Sequence, residues 1–94
     1  MLNAIIYWNS NQLFNKVDEL TKEGFAFNMQ NRFFTKNNSP KIMAISHVGI
    51  RYKLSGYNFD QINFLYLPDR EELALALDRL RAKKGKLFVM GEEQ

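Results

Sequence analysis

The 94-residue sequence contains no cysteine, which excludes disulfide bridges and thiolate metal sites within the chain. It contains one histidine, His47, so a metal centre built from several histidines is excluded as well. No apolar run approaches the roughly 20 residues that a membrane-spanning helix needs. From these absences we expect a cytoplasmic protein that uses no metal, no cofactor and no membrane.

Acidic residues are missing from residues 24–59, although the whole chain has ten of them and a formal net charge of only +3. The segment carries five lysines and arginines and the single histidine, namely Arg32, Lys36, Lys41, Arg51, Lys53 and His47. Unless this gap arose by chance, such a segment forms a positive surface that attracts phosphates or an acidic protein surface.

Apolar residues are abundant, since 46% of the chain is hydrophobic and 14% is aromatic. This content is sufficient for one core and argues against intrinsic disorder. We therefore predict a single domain over residues 1–94, in which residues 91–94 form a frayed tail.

Two segments have the apolar spacing of amphipathic helices. The first, residues 9–24, begins at Asn9 or Ser10 as a cap and ends at Gly24 in the left-handed conformation. The second, residues 69–84, begins with Asp69 and Glu72 as a capping-box pair. Their predicted inward stripes are Leu13, Phe14, Val17 and Leu20 in the first helix and Leu73, Ala76, Leu77 and Leu80 in the second.

Strands are predicted for the apolar runs 4–8, 62–67 and 86–90, and for two longer segments, 25–33 and 42–54, that alternate with a period of two. These elements have the order β-α-β-β-(β)-α-β. When the strand in parentheses is left out, this is the order of a ferredoxin-like domain. This order predicts an α+β fold with an antiparallel sheet and two helices packed on one face. The competing interpretation is the α-β-β-β-α arrangement of double-stranded-RNA-binding domains, with an additional edge strand.

The residues Gly-Phe-Ala-Phe at positions 24–27 resemble part of the RNP1 signature of RNA-recognition motifs. That signature lies on the third strand of its family, whereas these residues directly follow the first predicted helix. If Phe25 and Phe27 faced solvent, the interleaved polar residues would be buried, at about 1–3 kcal/mol for each unpaired group. We therefore predict that both phenylalanines belong to the core.

The opposite face of the two alternating segments is predicted to be polar and basic. Arg32, Lys36, Lys41, Arg51 and Lys53 are the candidate phosphate contacts, with Asn28, Gln30 and His47 as hydrogen-bonding neighbours. A surface of this kind can follow a nucleic-acid backbone, although it is also the ordinary solvated face of an antiparallel sheet. Trp8, Tyr57 and Phe59 are the remaining aromatic candidates for stacking on bases.

Catalytic patterns are weak, and we expect a non-enzymatic module that binds nucleic acid. Small ferredoxin-like nucleases of CRISPR adaptation have a similar opening, but they are expected to carry an aspartate where Trp8 follows Tyr7. A nuclease that used Asp60 or His47 is the least favoured class. The main alternative is a protein–protein module, such as an anti-CRISPR-like inhibitor or adaptor encoded by a phage or mobile element. A homodimer through an edge strand, 4–8 or 86–90, is compatible with either interpretation.

Overall fold

The computed structural model describes residues 1–80 and 85–94, which form one mixed sheet and three helices. The strands are β1 (Leu2–Tyr7), β2 (Ala26–Asn28), β3 (Phe33–Thr35), β4 (Lys41–Ser46), β5 (Gln61–Phe64), β6 (Lys86–Val89) and β7 (Glu92–Glu93). The helices are α1 (Ser10–Lys22), α2 (Ile50–Lys53), which follows a 3₁₀ turn at His47–Gly49, and α3 (Arg70–Arg79). The predicted α+β class is confirmed.

The sheet has the order β2-β3-β4-β1-β5-β6-β7, and its four central strands, β4, β1, β5 and β6, are parallel. The prediction of an antiparallel, ferredoxin-like sheet is therefore wrong. Ala4–Tyr7 of β1 and Met43–Ile45 of β4 are buried without interruption. Continuous burial is typical of parallel strands covered on both faces, because neither face is left for polar residues.

Helices cover both faces of the sheet, so the prediction of two helices on one face is also wrong. Ile5 and Tyr7 of β1 pack in a cluster with Leu13 of α1. The alternate residues Ala4 and Ile6 pack in a second cluster, with residues of α2 and α3. The result is three layers in which α1 lies on one side and α2 and α3 lie on the other.

Both predicted ends of the first helix and the predicted start of the second are confirmed. The second helix is shorter than predicted, since α3 ends at Arg79 and Leu80 is extended and forms a parallel bridge with Phe59. The Asn9 side chain accepts a hydrogen bond from the Gln12 backbone N–H, and Asp69 and Glu72 form a reciprocal capping box. Gly24 follows α1 with a φ of +100°, which favours glycine. Two stripe residues differ from the prediction, since Phe14 and Leu77 are exposed. Residues 81–84 of the second predicted helix lie outside the described part.

The predicted strand 25–33 is a hairpin, in which β2 and β3 are antiparallel and joined by residues 29–32. Phe27 pairs with Phe34 and packs on the α1 side, and Phe25 joins the same cluster. Both phenylalanines are half-buried and pack against the core cluster, so they face inward as predicted but are not fully part of the core. Phe33, in contrast, packs against the cluster on the opposite face, because the turn changes the alternation.

Three further predictions for strands are corrected. Residues 47–53 form the 3₁₀ turn and α2, so the long strand 42–54 ends at Ser46. Residues 92–93 form β7 against β6, where a frayed tail was expected. Strands β1 and β6 each pair on both sides, so neither is an edge strand available for dimer formation. None of the helices in residues 1–80 and 85–94 has the length and apolar character to cross a membrane.

Candidate functional site

The carboxyl ends of the four parallel strands meet along one side of the sheet, which we call the carboxyl edge; the opposite side is the amino edge. Across the sheet the four parallel strands lie in the order β4, β1, β5, β6. The first of them in the chain, β1, therefore lies between the second, β4, and the third, β5. The connection from β1 to β4, which contains α1, therefore crosses one face of the sheet, and the connection from β4 to β5, which contains α2, crosses the other face. In doubly wound sheets such a reversal opens a crevice at the carboxyl ends of the strands, where ligands bind.

The crevice between β1 and β5 is closed by a glutamine. The Gln12 Oε1 accepts from the Trp8 backbone N–H at 2.7 Å, and its Nε2 donates to the Leu65 carbonyl at 2.9 Å. One side chain at the start of α1 thus joins the ends of two neighbouring strands. An open site at the carboxyl edge has to lie to one side of this bridge.

Next to this glutamine bridge, an aromatic cluster covers the carboxyl ends of β1, β4 and β5. The pairing of Tyr7 with Ser46 brings the next residues, Trp8 and His47, together, and their rings stack with centroids 3.8 Å apart and 15° between planes. Tyr66 meets the Trp8 ring edge-on at 5.3 Å. The Tyr66 hydroxyl donates to Glu72 Oε2 at 2.5 Å. Burial, followed by this contact with Glu72, raises the pKa of Tyr66 well above the usual value for a phenol.

Two adjoining depressions, of about 400 and 280 Å³, open beside β1 and β4 and share the lining residues Tyr7, Arg32 and Ser46. Trp8 and Met29 border the larger depression, while Gln30 and Lys53 border the smaller one. Because the two share a wall, we treat them as one site, the carboxyl-edge depression.

Arg32 is held in the wall of this depression by its own turn. Its Nη1 donates to the Tyr7 hydroxyl at 2.8 Å and its Nε donates to the Met29 carbonyl at 3.2 Å. Its backbone carbonyl accepts from the Ala44 N–H at 2.8 Å, which fixes the residue at a φ of +59°. A guanidinium has five N–H donors, so donors remain for a ligand.

Arg32 and Lys53 have no carboxylate partner within ion-pair distance among residues 1–80 and 85–94. Arg51 differs, since it forms an ion pair with Glu71 at the start of α3. The carboxyl-edge depression therefore has two uncompensated cations, whose field attracts an anion.

The remaining predicted residues lie elsewhere or have a structural contact. Asn28 accepts from the backbone N–H groups of Gln30 and Asn31 and so orders the hairpin turn. Lys36 and Lys41 lie at the amino edge, where Lys36 donates to the Glu23 carbonyl at 2.7 Å. The Lys41 Nζ lies over the Phe33 ring, 5.1 Å from its centroid. The structure thus brings together Gln30, Arg32 and Lys53, with His47 beneath Trp8.

The aromatic candidates also separate. Phe59 is fully buried, and Tyr57 is exposed beside Lys41 at the amino edge, so Trp8 is the one of these three candidates that lies at the depression. Phe14, which was predicted as core, is also exposed and lines the same depression. Sequence reasoning missed Tyr7 and Ser46 as lining residues. The signal was present, because two continuous apolar runs, ending at Tyr7 and Ser46, are typical of neighbouring parallel strands that end at one edge.

A catalytic centre is not assembled from the residues considered for one. Asp60 accepts from the Leu2 N–H at the amino edge, whereas His47 lies at the carboxyl edge. The Ser46 hydroxyl accepts from the Val48 N–H, and the described ranges hold no group of three acidic or histidine side chains placed to bind a metal.

The fold and this edge define a three-layer mixed-sheet domain with a basic depression beside a stacked aromatic pair. No protein-family model, no curated protein and no solved structure matches the chain.

Proposed function

We propose that the protein is a non-enzymatic module that binds nucleic acid through phosphate contacts at the carboxyl-edge depression. The observation that supports this proposal is the pair of uncompensated cations, Arg32 and Lys53, on one depression. Phosphate accounts for much of the contact in protein–nucleic acid complexes, and guanidinium and ammonium groups are its usual partners.

The Arg32 side chain is preorganised for contact with a phosphate. Its contacts with Tyr7 and Met29 fix the side chain, so less rotamer freedom is lost when it contacts a phosphate. Lys53 is exposed and adds a mobile point charge. Gln30 lines the same wall and supplies an amide for a sugar or base.

Salt-titrated binding of a labelled oligonucleotide tests the proposal. Each phosphate contacted on a single strand contributes about −0.7 to the slope of log K against log salt concentration. If Arg32 and Lys53 each contact one phosphate, we expect a slope of about −1.4 or steeper, and Lys53→Gln makes it shallower by about 0.7.

Lys41→Gln is the matched control, because it removes the same charge at the amino edge. It leaves the slope unchanged if binding occurs at the carboxyl edge. Equal losses for the two variants would assign the effect to net charge alone, and an absence of binding at low salt would exclude the function.

A protein partner is the second candidate, since large apolar residues are also exposed at this edge. Val48, Leu67 and Met90, which follow β4, β5 and β6, are exposed by 73%, 79% and 65%. Capture of one stoichiometric partner that survives nuclease treatment and is lost on Leu67→Asp would favour this candidate.

A further inference from the structure

Trp8 combines exposure with a fixed orientation. Its side chain is 52% exposed, although one ring face is covered by the stacked imidazole of His47. The exposed area therefore belongs mainly to the opposite face and the ring edge. A tryptophan whose free face points to solvent has a large apolar surface available for contact.

Contacts on several sides hold the ring. His47 stacks beneath it, Tyr66 meets its edge, and the Trp8 backbone N–H donates to Gln12. Tyr66 is in turn fixed by its hydrogen bond to Glu72. Because this orientation exists without a ligand, binding to the free face requires little further ordering.

Trp8 and Arg32 both line the same depression. We propose that the free face of Trp8 stacks on an unpaired base while Arg32 and Lys53 contact the adjoining phosphates, so that the preferred ligand is single-stranded nucleic acid. This inference rests on the proposed function and adds the kind of strand that binds. Two features of the depression favour this occupant over a protein. Its cations have no acidic partner among residues 1–80 and 85–94, and the exposed Trp8 ring is a flat aromatic surface on which a base can stack.

A base inside a duplex is stacked on both sides and does not offer a free face to a side chain. Stacking on aromatic residues is the usual source of strand binding without sequence preference, because every base has a π face. The free face of Trp8 provides such a contact, and Met29 lines the same depression. A duplex still has phosphates for the cations, so it binds more weakly but does not lose binding entirely.

The chain has one tryptophan and four tyrosines, so fluorescence excited at a wavelength where tyrosine does not absorb reports on the Trp8 ring alone. The test compares three ligands at one low salt concentration: a thymidine decanucleotide, an abasic strand with the same backbone, and the thymidine strand paired with its complement. We expect the thymidine strand to quench the fluorescence of Trp8. We expect the abasic strand to bind about 5- to 150-fold more weakly without quenching, which corresponds to about 1–3 kcal/mol for one stacked base.

Variants provide the second arm of the test, read by the anisotropy of labelled strands. Trp8→Ala weakens binding of the thymidine strand by the same factor and leaves the abasic strand unaffected. Tyr57→Ala is the matched control, because it removes an exposed aromatic ring at the amino edge. It leaves the affinity for both strands unchanged.

The outcomes distinguish the stacking inference from the phosphate-binding function on which it rests. Equal affinity for the thymidine and abasic strands, with steady Trp8 fluorescence, overturns the stacking inference and leaves the phosphate contacts in place. If none of the three ligands binds, both the stacking inference and the nucleic-acid-binding function are wrong, and a protein partner becomes the candidate ligand of the carboxyl edge. If Trp8→Ala does not fold, the comparison of ligands on the unaltered chain still decides.

Discussion

At the amino edge Lys36 and Lys41 each make a structural contact and line separate depressions, whereas at the carboxyl edge two cations line one depression. Within the described part of the chain none of these four cations forms an ion pair. Lys36 donates to the carbonyl of Glu23, the residue that caps the end of α1, and Lys41 lies over Phe33. Arg32 and Lys53 border one depression, and Arg32 donates there to the Tyr7 hydroxyl and the Met29 carbonyl. Cations of similar sequence context thus stabilise the fold at one edge and are available for a ligand at the other.

The exposed aromatic residues differ between the edges in the same way. Tyr57 at the amino edge lies in a tilted pair with the buried Phe59. Trp8 at the carboxyl edge stacks on His47, which is itself partly exposed, so the pair forms a surface above the sheet. This difference follows from topology, because parallel strands bring the residues after β1 and β4 together.

The largest effect on stability is expected from Gln12, which joins the two halves of the carboxyl edge. Gln12→Ala removes both hydrogen bonds and leaves the Leu65 carbonyl without this partner, so the free energy of unfolding falls by about 1–3 kcal/mol. Urea unfolding measures the loss. Asn11→Ala, one residue earlier and exposed, changes it by less than about 0.5 kcal/mol. Equal losses for the two variants would show that the bridge contributes nothing.

The Tyr66 phenol makes the carboxyl edge sensitive to alkali. Below about pH 10 the phenol is neutral in both the folded and the unfolded chain, so pH does not act through it. Above this pH the unfolded chain releases the proton, while the raised pKa of Tyr66 keeps it on the folded chain. The free energy of unfolding therefore falls by about 1.4 kcal/mol per pH unit in this range.

Tyr66→Phe tests this prediction by unfolding at about pH 9 and about pH 11. The variant loses the hydrogen bond to Glu72 at both values, but its stability falls less between them than that of the unaltered chain. Tyr52→Phe, at an exposed phenol, serves as the control and keeps the full decline. An identical decline in all three proteins would exclude a role for Tyr66.

A crossed pair of lysine variants compares the two edges directly. Lys36→Met removes the contact with the Glu23 carbonyl and lowers the free energy of unfolding by about 0.5–1.5 kcal/mol, without changing oligonucleotide affinity. Lys53→Met has the opposite profile, with weaker binding and stability within about 0.5 kcal/mol of the unaltered chain. Thermal unfolding and anisotropy measure the two quantities. If both variants lose binding equally, the distinction between the edges is wrong.

The helices could be predicted from the sequence because their signals are local. Asn9 and the Asp69–Glu72 pair lie within one turn of the groups that they cap. The sheet could not be predicted in the same way, because a period of two does not by itself distinguish a strand from a short helical segment. Residues 47–53 alternate in sequence but form helical turns, and a run of seven residues is too short for periodicity to distinguish the two.

The candidate site was predicted in residue type but not in arrangement. The absence of acids from residues 24–59 identified Arg32 and Lys53, and it identified Lys36 and Lys41 equally. Only strand pairing separates them, since β3 is antiparallel to β4 and carries the chain from Arg32 at one edge to Lys36 at the other. The stack of Trp8 on His47 similarly requires the parallel pairing of Tyr7 with Ser46.

The smallest effect is expected on the outer surface of α1, which belongs to neither edge. Asp18 and Lys22 form an ion pair at 3.2 Å with both side chains at least 70% exposed. Asp18→Asn lowers the free energy of unfolding by about 0.3–0.5 kcal/mol at low salt, and the difference disappears at high salt because the pair is screened. Urea unfolding at two salt concentrations measures it. If salt lowers the stability of the domain by more than this, the loss of oligonucleotide binding at high salt includes unfolding of the domain. The small effect that we expect assigns the loss of binding to phosphate contacts alone.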